Sequence, residues 1–143
     1  MQYDGGCHCG ALGVSYRTET TPEQSSVREC QCTFCRAHAS RNVSDPRGSL
    51  VIEIRDPSLC RRYRFGANTC DFLVCGRCGV YVAAVLHRLD KSWGTVNINA
   101  LEARARFPAA APVDFDRETA DDKIARRMER WTPAVVTEVR GGG

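Results

Sequence analysis

The sequence predicts a mainly β domain with irregular, metal-pinned corners and one short C-terminal helix. Three observations carry that prediction. Short alternating or continuously apolar segments recur between turn residues, one late stretch has helical spacing, and the cysteines cluster at one- and two-residue intervals.

Leu12-Gly13-Val14-Ser15-Tyr16 alternates as a half-buried strand does, and Leu50 to Ile54 repeats the pattern with Leu50, Ile52 and Ile54 facing inward. Between them Thr18 to Ser26 is polar and reads as a surface loop. Arg61 to Phe65, Gly66-Ala67-Asn68 and Asp71 to Val74 form strand, turn and strand. Val80 to Leu86 is continuously apolar, which predicts a central strand covered on both faces, and Thr95 to Ile98 adds another. Helical periodicity runs from Thr119 to Trp131, where Ala120, Ile124, Met128 and Trp131 share one side. Thr119 with Asp122 supplies a capping box and Pro133 a stop, with Met128 and Trp131 as core residues.

The 143 residues, 43% hydrophobic and 26% charged, suit one domain over 1–140, with 141–143 (Gly-Gly-Gly) a flexible tail. No run of eighteen apolar residues occurs, and Met1-Gln2-Tyr3-Asp4 lacks the basic start and apolar stretch of a signal peptide. A cytoplasmic protein with no membrane partner is therefore expected. The net charge of +3 concentrates at Arg61-Arg62-Tyr63-Arg64 and Arg126-Arg127, clusters too short to imply nucleic acid. On a strand, the first would alternate with its arginines on the wet face.

Nine cysteines in a reducing compartment point to metal rather than disulfides, the more so because the number is odd. Seven fall in three clusters: Cys7-His8-Cys9, Cys30-Gln31-Cys32-Thr33-Phe34-Cys35 and Cys75-Gly76-Arg77-Cys78. Cys75 and Cys78, followed by Gly79, have the form of a zinc knuckle, with Gly76 and Gly79 permitting the turn. A knuckle supplies half a tetrahedral shell, and Cys7 with Cys9, flanked by Gly5, Gly6 and Gly10, is the best remaining pair. Cys30, Cys32 and Cys35 are three ligands that leave the fourth position free, the signature of a catalytic zinc. The alternative is a closed site completed by Cys60, Cys70 or His38. Otherwise Cys60 and Cys70 read as small buried residues, and His8, His38 and His87 as polar or capping groups.

The order Gly6-Cys7-His8-Cys9-Gly10, Cys30-x-Cys32-x-x-Cys35-Arg36 and Phe72-Leu73-Val74-Cys75-x-x-Cys78-Gly79 resembles the glutathione-dependent formaldehyde-activating enzyme family, which also includes centromere protein V. The likeness continues through Val96-Asn97-Ile98 and from Arg126-Arg127 to Trp131-Thr132-Pro133. It implies several coiled β-sheets around two Zn2+ ions per chain. Cys7, Cys9, Cys75 and Cys78 would hold the structural ion, and Cys30, Cys32 and Cys35 the catalytic one. It also implies a carbon-sulfur lyase-type activity, the condensation of formaldehyde or another small aldehyde with glutathione or a similar thiol to an S-hydroxymethyl adduct. Two positions depart from the pattern: Gln31 stands where His is frequent, and Ala37-His38-Ala39-Ser40 lacks a usual glycine.

Three thiolates leave a divalent zinc with a formal charge of −1, which disfavours water activation but admits a substrate thiol that ionises there near neutral pH. Arg28, Arg36 and Arg41 are the candidate cations to offset that charge and hold carboxylates. The rival reading is a non-catalytic zinc-binding module, either a glutathione carrier or an interaction domain.

Overall fold

The computed structural model describes residues 1–139, so the Gly141 to Gly143 tail lies outside the described residues. Among the described residues eleven strands form one continuous hydrogen-bonded sheet. β1 (Gln2–Gly6) and β2 (Leu12–Arg17) make an antiparallel hairpin. β3 (Arg28–Cys30) leads into the short helix α1 (Thr33–Ala37), then β4 (Asn42–Val43) and β5 (Ser49–Ile54), the last paired with β2. β6 (Cys60–Tyr63), β7 (Asp71–Cys75), β8 (Tyr81–Arg88) and β9 (Lys91–Asn97) form an antiparallel meander. β10 (Ala111–Val113) runs parallel to β3, and α2 (Ala120–Arg130) leads directly into β11 (Thr132–Glu138). The domain is mainly β, as the patterning implies.

β11 joins the two halves of the sheet. Thr132 and Pro133 pair antiparallel with Gly94 and Trp93 of β9, after which Ala134 to Glu138 run parallel to Leu50 to Ile54 of β5. Sequence periodicity overlooked this strand because Pro133 reads as a helix stop. The helix has already ended: Trp131 is extended at φ −78°, ψ 161°, so Pro133 belongs to the strand. The same reading missed β1, β3, β4 and β10. It also misjudged Thr18 to Ser26, where Thr18 and Ser25 are buried and Pro22–Gln24 make a 3-10 turn.

Thr119 accepts from the Asp122 N–H at 3.1 Å while Asp122 accepts from the Thr119 N–H at 3.3 Å, the capping box read from the sequence. Trp131 is buried, whereas Ile124 and Met128 are only half-buried and Ala120 is exposed. β6 departs from alternation altogether. Arg61, Arg62, Tyr63 and Arg64 are all exposed, because β6 is an edge strand with only β7 beside it, and Arg62 reaches Glu138 at 2.9 Å.

Two cores flank the meander. The larger holds Leu12, Val14, Leu50, Ile52, Ile54, Val82 and Val96, and the smaller holds Cys70, Tyr81, Ala84, Leu86 and Trp131. β8 contributes to both, which explains its uninterrupted apolar sequence.

Close backbone approach sets the entry to the first cysteine pair. Gly5 bridges Leu101, and a Cβ on Gly5 would stand 2.0 Å from the Ala100 carbonyl oxygen. At Gly10 a Cβ would meet nothing within 4 Å, although φ is +86°. Gly5→Ala is therefore expected to cost about 3 kcal/mol by forcing β1 off its neighbour. Gly10→Ala costs about 1–2 kcal/mol from the left-handed backbone alone. Urea unfolding of the two variants checks the order.

Candidate metal centres

The first centre joins two chain reversals. β1 delivers Cys7 into a turn closed by the Gly10 N–H on the Cys7 carbonyl at 3.2 Å, and β7 delivers Cys75 into a turn closed by the Gly79 N–H on the Cys75 carbonyl at 2.9 Å. Gly10 and Gly79 take φ of +86° and +79°, which only glycine adopts without strain, while Gly76 lies against the Arg61 guanidinium. The turns bring Cys7, Cys9, Cys75 and Cys78 together with all four sulfurs within 4.8 Å of one another. Cys7 and Cys9 are 3.8 Å apart and Cys9 and Cys75 3.5 Å. A tetrahedron of sulfurs at zinc bond length has edges of about 3.8 Å, so the donor set fits that ion.

Backbone N–H groups aim at the same sulfurs. Leu12 donates to Cys7 Sγ at 3.2 Å, and Arg77 and Cys78 both donate to Cys75 Sγ at 3.4 Å. Such donors favour thiolates. Burial raises the Cys78 thiol, but the N–H groups of Val80 and Cys9, with the Cys75 and Cys7 thiols, bring it down to about 6. Burial instead pushes Cys7 up to about 11. His8 is exposed, and Cys60 sits across from Cys75 in the β6–β7 register as a buried residue outside the cluster.

The second centre occupies six residues of chain, Cys30 to Cys35. β3 ends at Cys30, Cys32 caps α1, and Cys35 lies in the helix with its N–H on Cys32 Sγ at 3.4 Å. Their sulfurs also lie within 4.8 Å of one another. Interaction with the Cys30 and Cys35 thiols holds Cys32 far below the ordinary thiol range, and contacts with Cys30 and Cys32 raise Cys35. Among the described residues no further Cys, His, Asp or Glu ligand atom joins the group. Cys60 and Cys70 are both buried but stay outside it, and His38 stacks on Phe34 at 4.5 Å. Phe34 anchors α1 between Phe72 at 4.6 Å and Tyr81 at 5.0 Å.

Cys30, Cys32 and Cys35 line a cavity of about 100 Å³. Phe72, Tyr81 and Trp131 form its apolar wall, and Cys70 is part of the lining. Arg28, Lys123, Arg126 and Arg127 make it cationic, with Asp116 opposing them. Arg28 donates to Ser44 Oγ at 2.8 Å and Thr95 Oγ1 at 3.3 Å; burial, with Arg126 and Arg130 nearby, lowers its pKa from the ordinary value. Arg36 is exposed on α1 and Arg41 donates to Asn99 Oδ1 at 2.9 Å, both outside the cavity lining. The arginines of α2 escaped the sequence reading, which treated Arg126-Arg127 as a short charge cluster. Trp131, one turn beyond Arg127, was the available signal.

The family model described as glutathione-dependent formaldehyde-activating enzyme matches residues 2–114. The chain belongs to that family. Its three cysteine clusters all fall inside the match, whereas α2, β11 and the Arg126 to Pro133 likeness lie beyond it. A crystal structure of a Rhodobacter sphaeroides protein is 27% identical, covers 69% of this chain and 87% of its own, and superposes with a TM-score of 0.53. No curated protein matches significantly. Within Ala37-His38-Ala39-Ser40, Ala39 takes φ +47°, a left-handed conformation that suits glycine. Gln31 turns back to donate to the Glu29 carbonyl at 2.9 Å.

Left-handed backbone costs an L-residue about 1–2 kcal/mol, of which glycine's larger unfolded-state entropy returns roughly half. Ala39→Gly is thus expected to stabilise the protein by about 0.5–1 kcal/mol in urea unfolding. With metal held at both centres, Cys78→Ser breaks a tie between segments far apart in the chain, while Cys32→Ser breaks one within a single turn. Thermal unfolding should show the larger loss for Cys78→Ser, and equal losses would contradict the assignment.

Proposed function

We propose that the chain is a zinc-dependent carbon-sulfur lyase-type enzyme that condenses a thiol, glutathione or one like it, with formaldehyde or another small aldehyde. Cys7, Cys9, Cys75 and Cys78 hold a structural zinc, and Cys30, Cys32 and Cys35 a catalytic one. The observation that carries this reading is the three-cysteine cluster opening onto a cavity, with no fourth ligand among the described residues. Membership of the family supports the choice of substrates. Among the described residues no helix is long and apolar enough to cross a membrane, and the reading places the enzyme in the cytoplasm.

Zinc bound there supplies a position at which an entering thiol ionises near neutral pH. The protein's own groups do the rest. Cys30, Cys32 and Cys35 are pre-set for ligation by β3 and α1, with the Cys35 N–H favouring the Cys32 thiolate. Phe72, Tyr81 and Trp131 keep water from the aldehyde-facing side of the cavity. Burial holds the Tyr81 phenol well above its ordinary pKa, so this wall stays neutral. In the addition, a sulfur–carbon bond forms at the carbonyl carbon, the C=O π pair moves to oxygen, and that oxygen ends with the proton the thiol lost.

Cobalt substitution tests the open position. Native mass spectrometry should find two ions per chain, and glutathione should shift part of the ligand-field spectrum towards a four-thiolate pattern over a constant four-thiolate background. Cys32→Ser should abolish the shift, and Cys60→Ser and Cys70→Ser should leave it. A spectrum already showing two four-thiolate sites, unchanged by glutathione, would overturn the reading in favour of a binding module.

A further inference from the structure

The cavity beside Cys30, Cys32 and Cys35 holds more positive charge than its carboxylates offset. Arg126 is paired with Glu118 at 3.0 Å and lies over the Phe115 ring at 3.6 Å. Among the described residues no carboxylate pairs with Arg28, Lys123 or Arg127. Arg28 is held by two hydroxyls, and Arg127 is clamped between Thr69 Oγ1, which accepts from its Nη1, and the Trp131 ring at 4.9 Å. These contacts fix both guanidinium groups without spending their charge. Arg127 Nε is moreover buried with no hydrogen-bond partner, an arrangement that costs free energy unless something else accepts from it.

Resting on the thiol-condensing reading above, we propose that Arg127 of α2, with Arg28 of β3, forms an anion subsite that selects thiols bearing a carboxylate. The charge balance points the same way. A zinc with three thiolates would carry −1 and a thiol-borne carboxylate would add another, and the lining sets Arg28, Lys123 and Arg127 against them with Asp116 opposing. Formaldehyde has no charged group, so the anion belongs to the thiol. Guanidinium matches carboxylate with two parallel N–H donors, and the Trp131 and Phe72 faces accommodate the aliphatic stem between carboxylate and sulfur. The Arg127 half of the subsite comes from a segment outside the family-model match, whereas Arg28 and the proposed metal ligands lie within it.

The test is isothermal titration of the zinc-loaded protein with 3-mercaptopropionate and with its methyl ester, which keeps the thiol and removes the charge. The wild-type protein should bind the acid about tenfold or more tightly than the ester, the worth of a charged hydrogen bond. Arg127→Gln should bring the ratio close to one with ester affinity unchanged, and Arg127→Lys should retain part of the preference. If Arg127→Gln loses its circular dichroism signature, Arg28→Gln is expected to show the same reduced ratio. Equal binding of acid and ester by the wild type, or a ratio undiminished in Arg127→Gln, would overturn the subsite and leave the thiol position standing. Binding of neither probe would instead take down the functional reading on which the subsite rests.

Discussion

Burial of β8 on both faces is the constraint on which the rest of the molecule depends. Tyr81, Ala84 and Leu86 belong to the smaller core, and Val82, Ala83 and Val85 to the larger. Strict alternation would place Val82 and Ala83 on opposite faces, but the β7–β8 register slips between Leu73 and Val74, leaving an extra residue on β8 there. The bulge restores the phase, so Tyr81 faces the cavity while the strand's start remains at the Cys75–Gly79 turn. One strand thus carries the closed four-cysteine cluster at its beginning and the wall of the open cluster on one side. Large side chains such as Leu86 and Tyr81 each stabilise this partition by about 1.5–3 kcal/mol through burial.

Polar groups buried beside β8 couple the two halves. Asn97 donates to the Tyr81 carbonyl at 2.9 Å and accepts from the Arg41 and Asn99 N–H groups, while Tyr81 Oη meets Asn42 Oδ1 at 3.5 Å. β4, β8 and β9 are thereby fixed in register near Cys35, whose carbonyl accepts from the Ser40 N–H at 3.0 Å. A buried amide leaves few ways to satisfy its hydrogen bonds, so this cluster specifies one arrangement of strands where apolar packing alone would tolerate slippage. Arg41 belongs to this network, which gives it a structural partner at the back of the cavity wall.

What could be read from the sequence follows the range of the forces involved. Strands with their own period, such as Leu50–Ile54 and Val80–Leu86, and a helix with its own cap, were legible because their signals are local. The pairing of Cys7 and Cys9 with Cys75 and Cys78 was legible because tetrahedral zinc needs four ligands and the glycine-flanked Cys7 and Cys9 were the best remaining pair. β11 was not: it is built of Pro133-Ala134-Val135-Val136, with Val135 exposed, and owes its place to partners on β9 and β5 that lie far away in sequence. Arg127 was illegible for the same reason. A basic residue on a short polar helix reads as solvated surface, and only the fold shows that the helix lies over the cavity.

On the proposed reading the two cysteine clusters divide stability and chemistry by their connectivity. The four-cysteine cluster joins two turns that each carry a left-handed glycine, Gly10 and Gly79, so its geometry is set by backbone that other residues adopt only under strain. Cys9 is exposed there, Cys78 is half-buried, and Cys7 and Cys75 are buried, and the four sulfurs together suffice for one tetrahedral shell. In the three-cysteine cluster the chain turns through one short helix, and Phe34, between Cys32 and Cys35, anchors that helix in aromatic packing. The side left open faces Arg28 and α2. A thiolate entering that side would raise the formal charge of a zinc–thiolate centre to −2, which a buried apolar pocket tolerates only with cations already in place. Hydroxyl groups and an aromatic ring, instead of carboxylates, hold Arg28 and Arg127, which leaves their charge directed at the site.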